Sequence, residues 1–324
     1  MHRDPDALIA ADARGERDLA AEREALDRGG AVRPPHGRRA NAYVRVRAWK
    51  SRLLGRLEVT PLMLATDATA MQRAVTALGI ESPFDRLVRI YGLALRGYPD
   101  AAPLFLGLLR LHEIENVKLL WRVVARGRDR KQARRLWIPL GKLATVSSDA
   151  LDAIHVRDLI ERLAPTPFAA IATDVARAGD SMTAELAFDR WASLQLLMAA
   201  RGLPRTERLA RKLIELVVRE RDSEIIRRGE RWFGLSASAA RAATALRAAA
   251  WPPHSRLDPA EFRAARLRLC RRAFVGNPFA IAPALALVLL AEEELRAVRA
   301  LIERQGDKTL DAAAARASAG AQWA

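Results

Sequence analysis

Hydrophobic and polar positions along this chain follow helical patterns, and period-two runs rich in Val, Ile and Thr are nearly absent. Ala, Leu and Arg dominate the composition, and all three residues favour helix. We therefore predict an all-α fold. Capping residues, Pro and Gly divide it into helices at about 41–57, 84–97, 102–126, 130–143, 150–163, 168–178, 181–202, 205–231, 236–249, 259–273 and 279–305.

Several of these helices have a recognisable start, in which a capping residue precedes Pro and an aromatic residue. The pattern occurs at Ser82-Pro83-Phe84, Thr166-Pro167-Phe168 and Asn277-Pro278-Phe279, and Thr60-Pro61 begins in the same way. Such residues cap helices, and Pro is tolerated at the first helical position. Residues 1–38 are polar and charged, so we expect a flexible N-terminal extension with a short helix around Asp18 to Asp27.

One pattern occurs three times: an acid is followed four residues later by an aliphatic residue and five residues later by a base. A glycine follows each copy where the helix should end, at Gly127, Gly234 and Gly306. Such internal repetition suggests a chain built from three related helical units. The first copy is Glu113, Val117 and Lys118, the second is Asp222, Ile226 and Arg227, and the third is Glu294, Val298 and Arg299.

Each repeated acid shares a helix face with mainly apolar residues, because positions three and four apart lie together. The base lies on an adjacent face. A buried acid needs a donor, so we predict a latch in which Glu113, Asp222 and Glu294 each bind an Arg or the amides at a helix N-terminus. In the alternative, the acids reach water at the edge of the face. Glu115 with Lys118 and Glu292 with Arg296 have the spacing for pairs within one helix.

The wider sequence around these positions resembles a known family. Glu113-Ile-Glu-Asn-Val-Lys-Leu-Leu-Trp-Arg122, Glu292-Glu-Glu-Leu-Arg-Ala-Val-Arg299 and Tyr43-Val-Arg-Val-Arg-Ala-Trp-Lys-Ser-Arg-Leu-Leu54 are similar, in order, to segments of the V-type/A-type ATPase subunit called C in prokaryotes and d in eukaryotes. The resemblance extends over roughly 41–308. The signature Asn is kept at Asn116 but becomes Ile225 and Ala297 in the other copies. The extension at 1–38 and the strongly basic charge also depart from the family.

The resemblance implies a funnel of three similar bundles around a pseudo-threefold axis, with units at 39–130, 131–250 and 251–324. It implies a non-catalytic socket that joins the central rotor shaft to the membrane rotor ring of a rotary ATPase. The protein would then lie peripherally on the cytoplasmic face of the membrane, and would support proton or sodium transport without binding nucleotide. The repeated positions that would serve the structure or the socket are Glu113, Asn116, Lys118, Arg122, Asp222, Arg227, Glu294 and Arg299.

The composition leaves one alternative open. The formal net charge is +16, which is typical either of a basic helical nucleic-acid-binding protein or of an arginine-rich protein with bases spread over solvated helix faces. The densest cluster, at 126–135, falls at a helix junction, where the helix dipole favours cations.

Motifs for chemistry are missing from the sequence. There is no phosphate-binding Gly-x-x-x-x-Gly-Lys-Ser/Thr loop, no His-x-x-x-His pair and no Gly-x-Ser-x-Gly elbow, and a single cysteine cannot build a cysteine-rich zinc site. We therefore predict no catalytic residue, no metal and no cofactor. The lone Cys270 fits a reducing compartment. The longest apolar run, 279–291, contains Pro283 and is too short to span a bilayer, so we expect no transmembrane segment.

Overall fold

Ten α-helices and three short 3-10 turns make up the computed structural model, which describes residues 36–53, 73, 83–178, 181–234 and 259–306. No strand occurs among the described residues, so the all-α prediction is confirmed. The helices are α1 His36–Lys50, α2 Pro83–Gly97, α3 Ala102–Arg126, α4 Arg130–Leu136, α5 Val156–Leu163, α6 Ala169–Ala178, α7 Ser181–Arg201, α8 Arg208–Phe233, α9 Pro259–Ala273 and α10 Ala282–Gly306. The 3-10 turns are Pro99–Ala101, Gly141–Leu143 and Ser148–Asp152.

The chain divides into two compact units. The first unit takes residues 1–102 and 267–324, and the second takes residues 103–266. The proposed division at 39–130, 131–250 and 251–324 stays a prediction.

In the first unit, α2 packs against both α1 and α10, and α10 also contacts α1. Apolar residues of α2 and α10, such as Ile90 and Leu285, are fully buried there. The α1–α2 contact depends on Gly97, because a Cβ atom at that position would lie 2.5 Å from the Cβ of Ala42. Only glycine allows the helices to approach so closely.

In the second unit, α7 packs against both α6 and α8, and α3 adds its apolar face to the core. Trp121 of α3 meets Phe188 of α7 edge to face, with ring centroids 6.1 Å apart. Phe168 packs against Trp191, with centroids 5.3 Å apart. Large aromatic side chains of this kind contribute most of the apolar area that such a core buries.

Three predicted helices have other limits than expected. The helix expected at about 41–57 is α1, which begins at His36, within the segment expected to be flexible, and ends at Lys50. The helix expected at 130–143 ends at Leu136, and an extended segment from Trp137 to Leu140 follows before the turn Gly141–Leu143. Pro139 explains this ending, because the residue before a proline is driven out of the helical region. The helix expected at 150–163 is a 3-10 turn at Ser148–Asp152 followed by α5, which begins at Val156.

The predicted starts and ends are right in several places. The Oγ1 atom of Thr166 accepts a hydrogen bond from the backbone N–H of Phe168 at 3.2 Å. Gly127 and Gly234 both have φ near 61° directly after α3 and α8, which is the left-handed conformation of a helix C-terminus. The third ending stays a prediction, because Gly306 is the last described residue of α10.

One predicted helix start is wrong, and three other predictions lie outside the described residues. Asn277 does accept a hydrogen bond from Phe279, but it closes a turn, and α10 begins only at Ala282. The predictions for Thr60-Pro61, for 18–27 and for a helix at 236–249 fall outside the described residues.

Candidate functional site

The first copy of the repeat holds a non-helical segment of chain against α3. Glu113 is buried and accepts hydrogen bonds from the backbone N–H and the Oγ1 atom of Thr145, the latter at 2.6 Å. Asn116 is also buried. Its Nδ2 atom donates to the carbonyl oxygen of Ile138, and its Oδ1 atom accepts from the backbone N–H of Ile138, both at 2.9 Å.

This arrangement explains why an amide is suitable at position 116. Asn carries both a donor and an acceptor, so a single side chain satisfies both backbone groups of Ile138. Segment 137–145 has no helical hydrogen bonds over most of its length, and its buried polar groups need partners from elsewhere. Glu113 and Asn116 provide those partners from one face of α3.

Lys118 belongs to a cluster of four charges that joins three helices. Its Nζ atom lies 2.9 and 3.0 Å from the two carboxylate oxygens of Asp189 on α7, and 3.0 Å from Glu115 on its own helix. Arg221 of α8 contacts Asp189 and also lies 3.1 Å from Glu115. The four-charge cluster, Glu115, Lys118, Asp189 and Arg221, balances two cations against two carboxylates, which makes the burial of Lys118 tolerable.

The charges of the four-charge cluster shift the pKa values of Glu115 and Arg221. Burial would raise the pKa of Glu115, but the charges of Lys118 and Arg221 outweigh burial and lower that pKa to about 2. Burial would lower the pKa of Arg221, whereas Asp189 and Glu115 raise it above its ordinary value. Both groups are therefore charged throughout the physiological range.

One helical turn further along α3, Arg122 forms a forked pair with Glu185 of α7. Its Nε and Nη2 atoms lie 2.8 and 2.6 Å from the two oxygens of Glu185. The hydrogen bond that Arg122 donates to Glu185 raises the pKa of Arg122, and its effect is larger than the opposing effect of partial burial. The two pairs, 118 with 189 and 122 with 185, show that α3 and α7 run antiparallel here.

A cavity of about 400 Å³ opens beside these pairs, at the C-terminal end of α3. Arg122, Arg126, Arg128 and Arg228 line it together with carboxylates and the apolar side chains of α4, α7 and α8. Among the described residues, the charged side chains that line it are these four arginines and the carboxylates of Asp129, Glu185 and Asp189.

The second copy lies on α8, in the same unit as the first. Asp222 is completely buried and accepts a hydrogen bond from the Oγ atom of Ser193 on α7, at 3.4 Å. Arg227 is exposed, as expected of a base that points away from the apolar face.

The third copy lies in the first unit, on α10. Glu294 is buried and pairs with Arg86 of α2, with 2.5 Å between Oε1 and Nη1. On the same helix, Glu292 accepts a hydrogen bond from Tyr91. Burial and the neighbouring Glu292 raise the pKa of that tyrosine. Of Arg299, the structure places the backbone within α10.

The three acids therefore share burial and a donor from another segment, but the donors differ. Glu294 has the predicted arginine, Glu113 binds Thr145, and Asp222 binds Ser193. The alternative of water-exposed acids is wrong at all three positions. Its pair within α3, Glu115 with Lys118, nevertheless occurs, as part of the four-charge cluster. The role of the eight repeated positions as a socket stays a prediction.

Several partners in the site were missed from the sequence. Asp189 and Glu185 are four residues apart on α7, as Lys118 and Arg122 are on α3. Two pairs of opposite charge at the same spacing are a signal for facing antiparallel helices. A third buried group, Glu220 of α8 with Arg266 of α9 at 2.9 Å, had no such signal.

With this geometry in hand, comparison with known proteins gives a family. Residues 84–266 match the sequence model of the family described as the ATP synthase (C/AC39) subunit. The chain belongs to this family. The match covers more than half of the chain and includes the first two copies of the repeat, whereas the third copy lies outside it. The protein is therefore a member of a V/A-type ATPase subunit family, as the resemblance indicated. No curated protein matches the chain.

Two further findings concern membranes and metals. No helix among the described residues is long and apolar enough to cross a bilayer. In the described part of the chain, no group of three or more His, Cys, Asp or Glu side chains is placed to hold a metal ion.

Proposed function

We propose that this protein is a non-catalytic coupling subunit of a rotary V/A-type ATPase, which joins the central rotor shaft to the membrane rotor ring. Membership of the ATP synthase (C/AC39) subunit family is the observation that carries the proposal. The protein would serve proton or sodium transport from the cytoplasmic face of the membrane, as a peripheral part of the complex. The family match gives no support to the nucleic-acid alternative.

The ionic contacts of the second unit suit a part that transmits torque. A coupling element must pass force between its neighbours without deforming. The four-charge cluster and the Arg122–Glu185 pair tie α3, α7 and α8 together through buried or partly buried bonds. Satisfied polar networks of this kind make a core rigid and specify one packing.

Charge supports the choice of the shaft as a partner. The chain carries a formal net charge of +16, and arginines line the cavity at the end of α3. A basic receptor attracts a shaft end of acidic or helix C-terminal character, because complementary charge speeds docking and fixes orientation. In this proposal the three units at 39–130, 131–250 and 251–324 surround the shaft as a funnel with pseudo-threefold symmetry.

The test is capture of both neighbours. The full-length tagged chain is immobilised and offered the purified shaft subunit, the detergent-solubilised rotor ring, or both. We expect each to bind and the ring to retain more shaft when the chain is present. Binding of neither neighbour would overturn the proposal.

A charge reversal locates the contact with the shaft. Arg227→Glu, at an exposed repeated position, should weaken shaft capture, and Arg299→Glu should do the same. The matched control is Arg205→Glu, which changes the charge equally at an exposed position outside the repeat. Equal shaft binding by all of these variants and the wild type would remove the repeated bases from the socket.

A further inference from the structure

In the first unit, α1 packs against the connection between α9 and α10. The Nη1 atom of Arg47 donates to the carbonyl oxygen of Phe274 at 3.1 Å, and the Nη1 atom of Arg39 donates to that of Phe279 at 2.9 Å. The ammonium of Lys50 lies 4.5 Å from the centre of the Phe274 ring. These three contacts fix the connection, residues 274–279, against α1.

The region formed by α1 and this connection is strongly positive. Residues 36–53 and residues 262–291 contain no Asp or Glu at all. Arg38, Arg47, Lys50 and Arg272 are exposed on these two segments. The acceptor of Arg47 in the connection is a carbonyl oxygen, which orients the guanidinium without neutralising it, whereas Arg39 also pairs with a carboxylate, that of Asp100.

Large apolar side chains project from the same two segments. Val275 is 87% exposed and Phe279 is 45% exposed, both in the connection, while Val44 of α1 is 60% exposed. In the first unit, these are the large hydrophobic side chains that the described residues leave exposed. We call these three side chains, together with the exposed bases Arg38, Arg47, Lys50 and Arg272, the basic–apolar surface.

We propose that the basic–apolar surface binds the interface of an anionic lipid bilayer. Arginine and lysine side chains would contact the headgroups, while Val275 and Phe279 would enter the boundary between headgroups and acyl chains. Basic residues next to exposed apolar side chains are the composition that such interfacial attachment requires. The two segments themselves contain no carboxylate, and the one beside them, Asp100, is paired with Arg39; an unpaired acid near an anionic headgroup would be repelled.

The apolar side chains favour a bilayer over the other anionic partners. Valine gains nothing against the phosphates of a nucleic acid, which bind basic groups alone. An acidic protein partner would need a contact of roughly 800 Å² on each side, and three separate apolar side chains do not provide the apolar centre of such a contact. A bilayer has its anionic layer directly above an apolar one, so it satisfies both parts of the surface. The inference does not depend on the socket role.

Vesicle sedimentation tests this with the full-length chain. The chain is mixed with phosphatidylcholine vesicles or with vesicles that also contain phosphatidylglycerol. We expect binding to the anionic vesicles alone, and weaker binding at high salt. The double variant Val275→Ser, Phe279→Ser should bind at least about tenfold more weakly, and Arg38→Gln and Arg272→Gln should each weaken binding by about fivefold.

The matched controls remove the same kinds of side chain, one apolar and one basic, at exposed positions outside the basic–apolar surface. Met198→Ser removes an exposed apolar side chain of α7, and Arg205→Gln removes an exposed charge, and neither should alter vesicle binding. Circular dichroism melting shows that each variant is folded, since all these side chains are exposed.

Three results would overturn the proposal. They are no preference for anionic vesicles, wild-type binding by the Val275→Ser, Phe279→Ser variant, and duplex DNA that binds more tightly than the vesicles and displaces the chain from them. The last would identify the surface as a general polyanion site. The same variants are also tested for capture of the shaft subunit and the rotor ring. Normal capture beside failed vesicle binding would show that the lipid proposal fails while the coupling role stands.

Discussion

At the scale of single residues, buried charges have the largest consequences. Lys118 is almost completely buried, and its charge is tolerated because Asp189 and Glu115 contact the same ammonium. Removing one partner of such a group leaves the other charges uncompensated. The effect of a substitution here should therefore be far larger than that of any surface ion pair.

Lys118→Met tests the four-charge cluster directly. Loss of one partner from a buried pair typically costs 3–5 kcal/mol, and Arg221 remains beside Asp189, so we expect about 3 kcal/mol from urea unfolding. Arg157→Ala, which breaks the exposed Arg157–Glu161 pair, is the control and should cost about 0.5 kcal/mol or less. Equal losses in the two variants would contradict the energetic role of the cluster.

The lowered pKa of Glu115 predicts that the stability of the protein depends on pH. Its pKa is lowered from 4.5 to about 2, so its contribution to stability is complete above pH 4.5 and is lost as the pH falls towards 2. The side chain is 36% exposed, and solvent screening reduces that contribution to about 1 kcal/mol.

Unfolding of Glu115→Gln should therefore differ from that of the wild type at neutral pH, and the two curves should converge near pH 2. A constant difference over the whole range would mean that the titration of Glu115 is not linked to folding.

At the scale of helices and the segments between them, the C-terminal glycines set where helices stop. Gly127 and Gly234 adopt a left-handed conformation, and no neighbouring atom limits the space for a side chain at either position. The requirement for glycine there comes from the backbone alone.

Gly127→Ala should destabilise the protein by about 1 kcal/mol, because a Cβ atom is strained at positive φ. Gly202→Ala is the control. It also follows a helix, but glycine is not required there by positive φ, so alanine should be neutral or slightly stabilising. Thermal unfolding compares them, and equal shifts in the midpoint would contradict the assignment.

Segment 137–145 makes a second prediction at this scale. Asn116→Leu removes both hydrogen bonds to Ile138, and each orphaned backbone group costs about 1–3 kcal/mol. We expect faster hydrogen exchange at the Ile138 amide and in its neighbours than in α7 and α8. An unchanged exchange rate at Ile138 would show that α3 does not hold this segment.

The same segment shows where sequence patterns succeed and where they fail. Most helix limits could be predicted, because capping residues, Pro and Gly act over a few positions. The helix expected at 130–143 ends at Leu136 because Pro139 overrides the helix-forming residues around it. At Asn277, a capping side chain closes a turn instead of starting a helix. A local signal does not distinguish these two uses.

For the candidate site too, some features could be predicted from the sequence and others could not. Burial of Glu113, Asp222 and Glu294 could be predicted from the helical face that each shares with apolar residues. Their donors could not, because Thr145, Ser193 and Arg86 lie 32, 29 and 208 residues away along the chain. Such pairings depend on tertiary packing, which one sequence does not reveal.

At the scale of the whole molecule, the family match concerns the complex to which the protein belongs, and the net charge concerns the partners that we propose for it. The match defines the class of complex to which the protein belongs. The net charge of +16 is visible in at least two places, an arginine-lined cavity in the second unit and two segments of the first, 36–53 and the connection 274–279, that contain no Asp or Glu. In our account the repeated bases Arg227 and Arg299 serve the shaft and the basic–apolar surface serves lipid, and the variants above affect them separately.

Coupling is the central claim, and ion transport by an ATPase depleted of this subunit tests it most directly. Membrane vesicles that contain the depleted enzyme are supplied with ATP, and hydrolysis and ion uptake are measured before and after the purified chain is added. The account predicts hydrolysis with little ion uptake before addition, and uptake restored by the chain. Full uptake without the chain, or no recovery when it is bound, would contradict a role in joining the shaft to the ring.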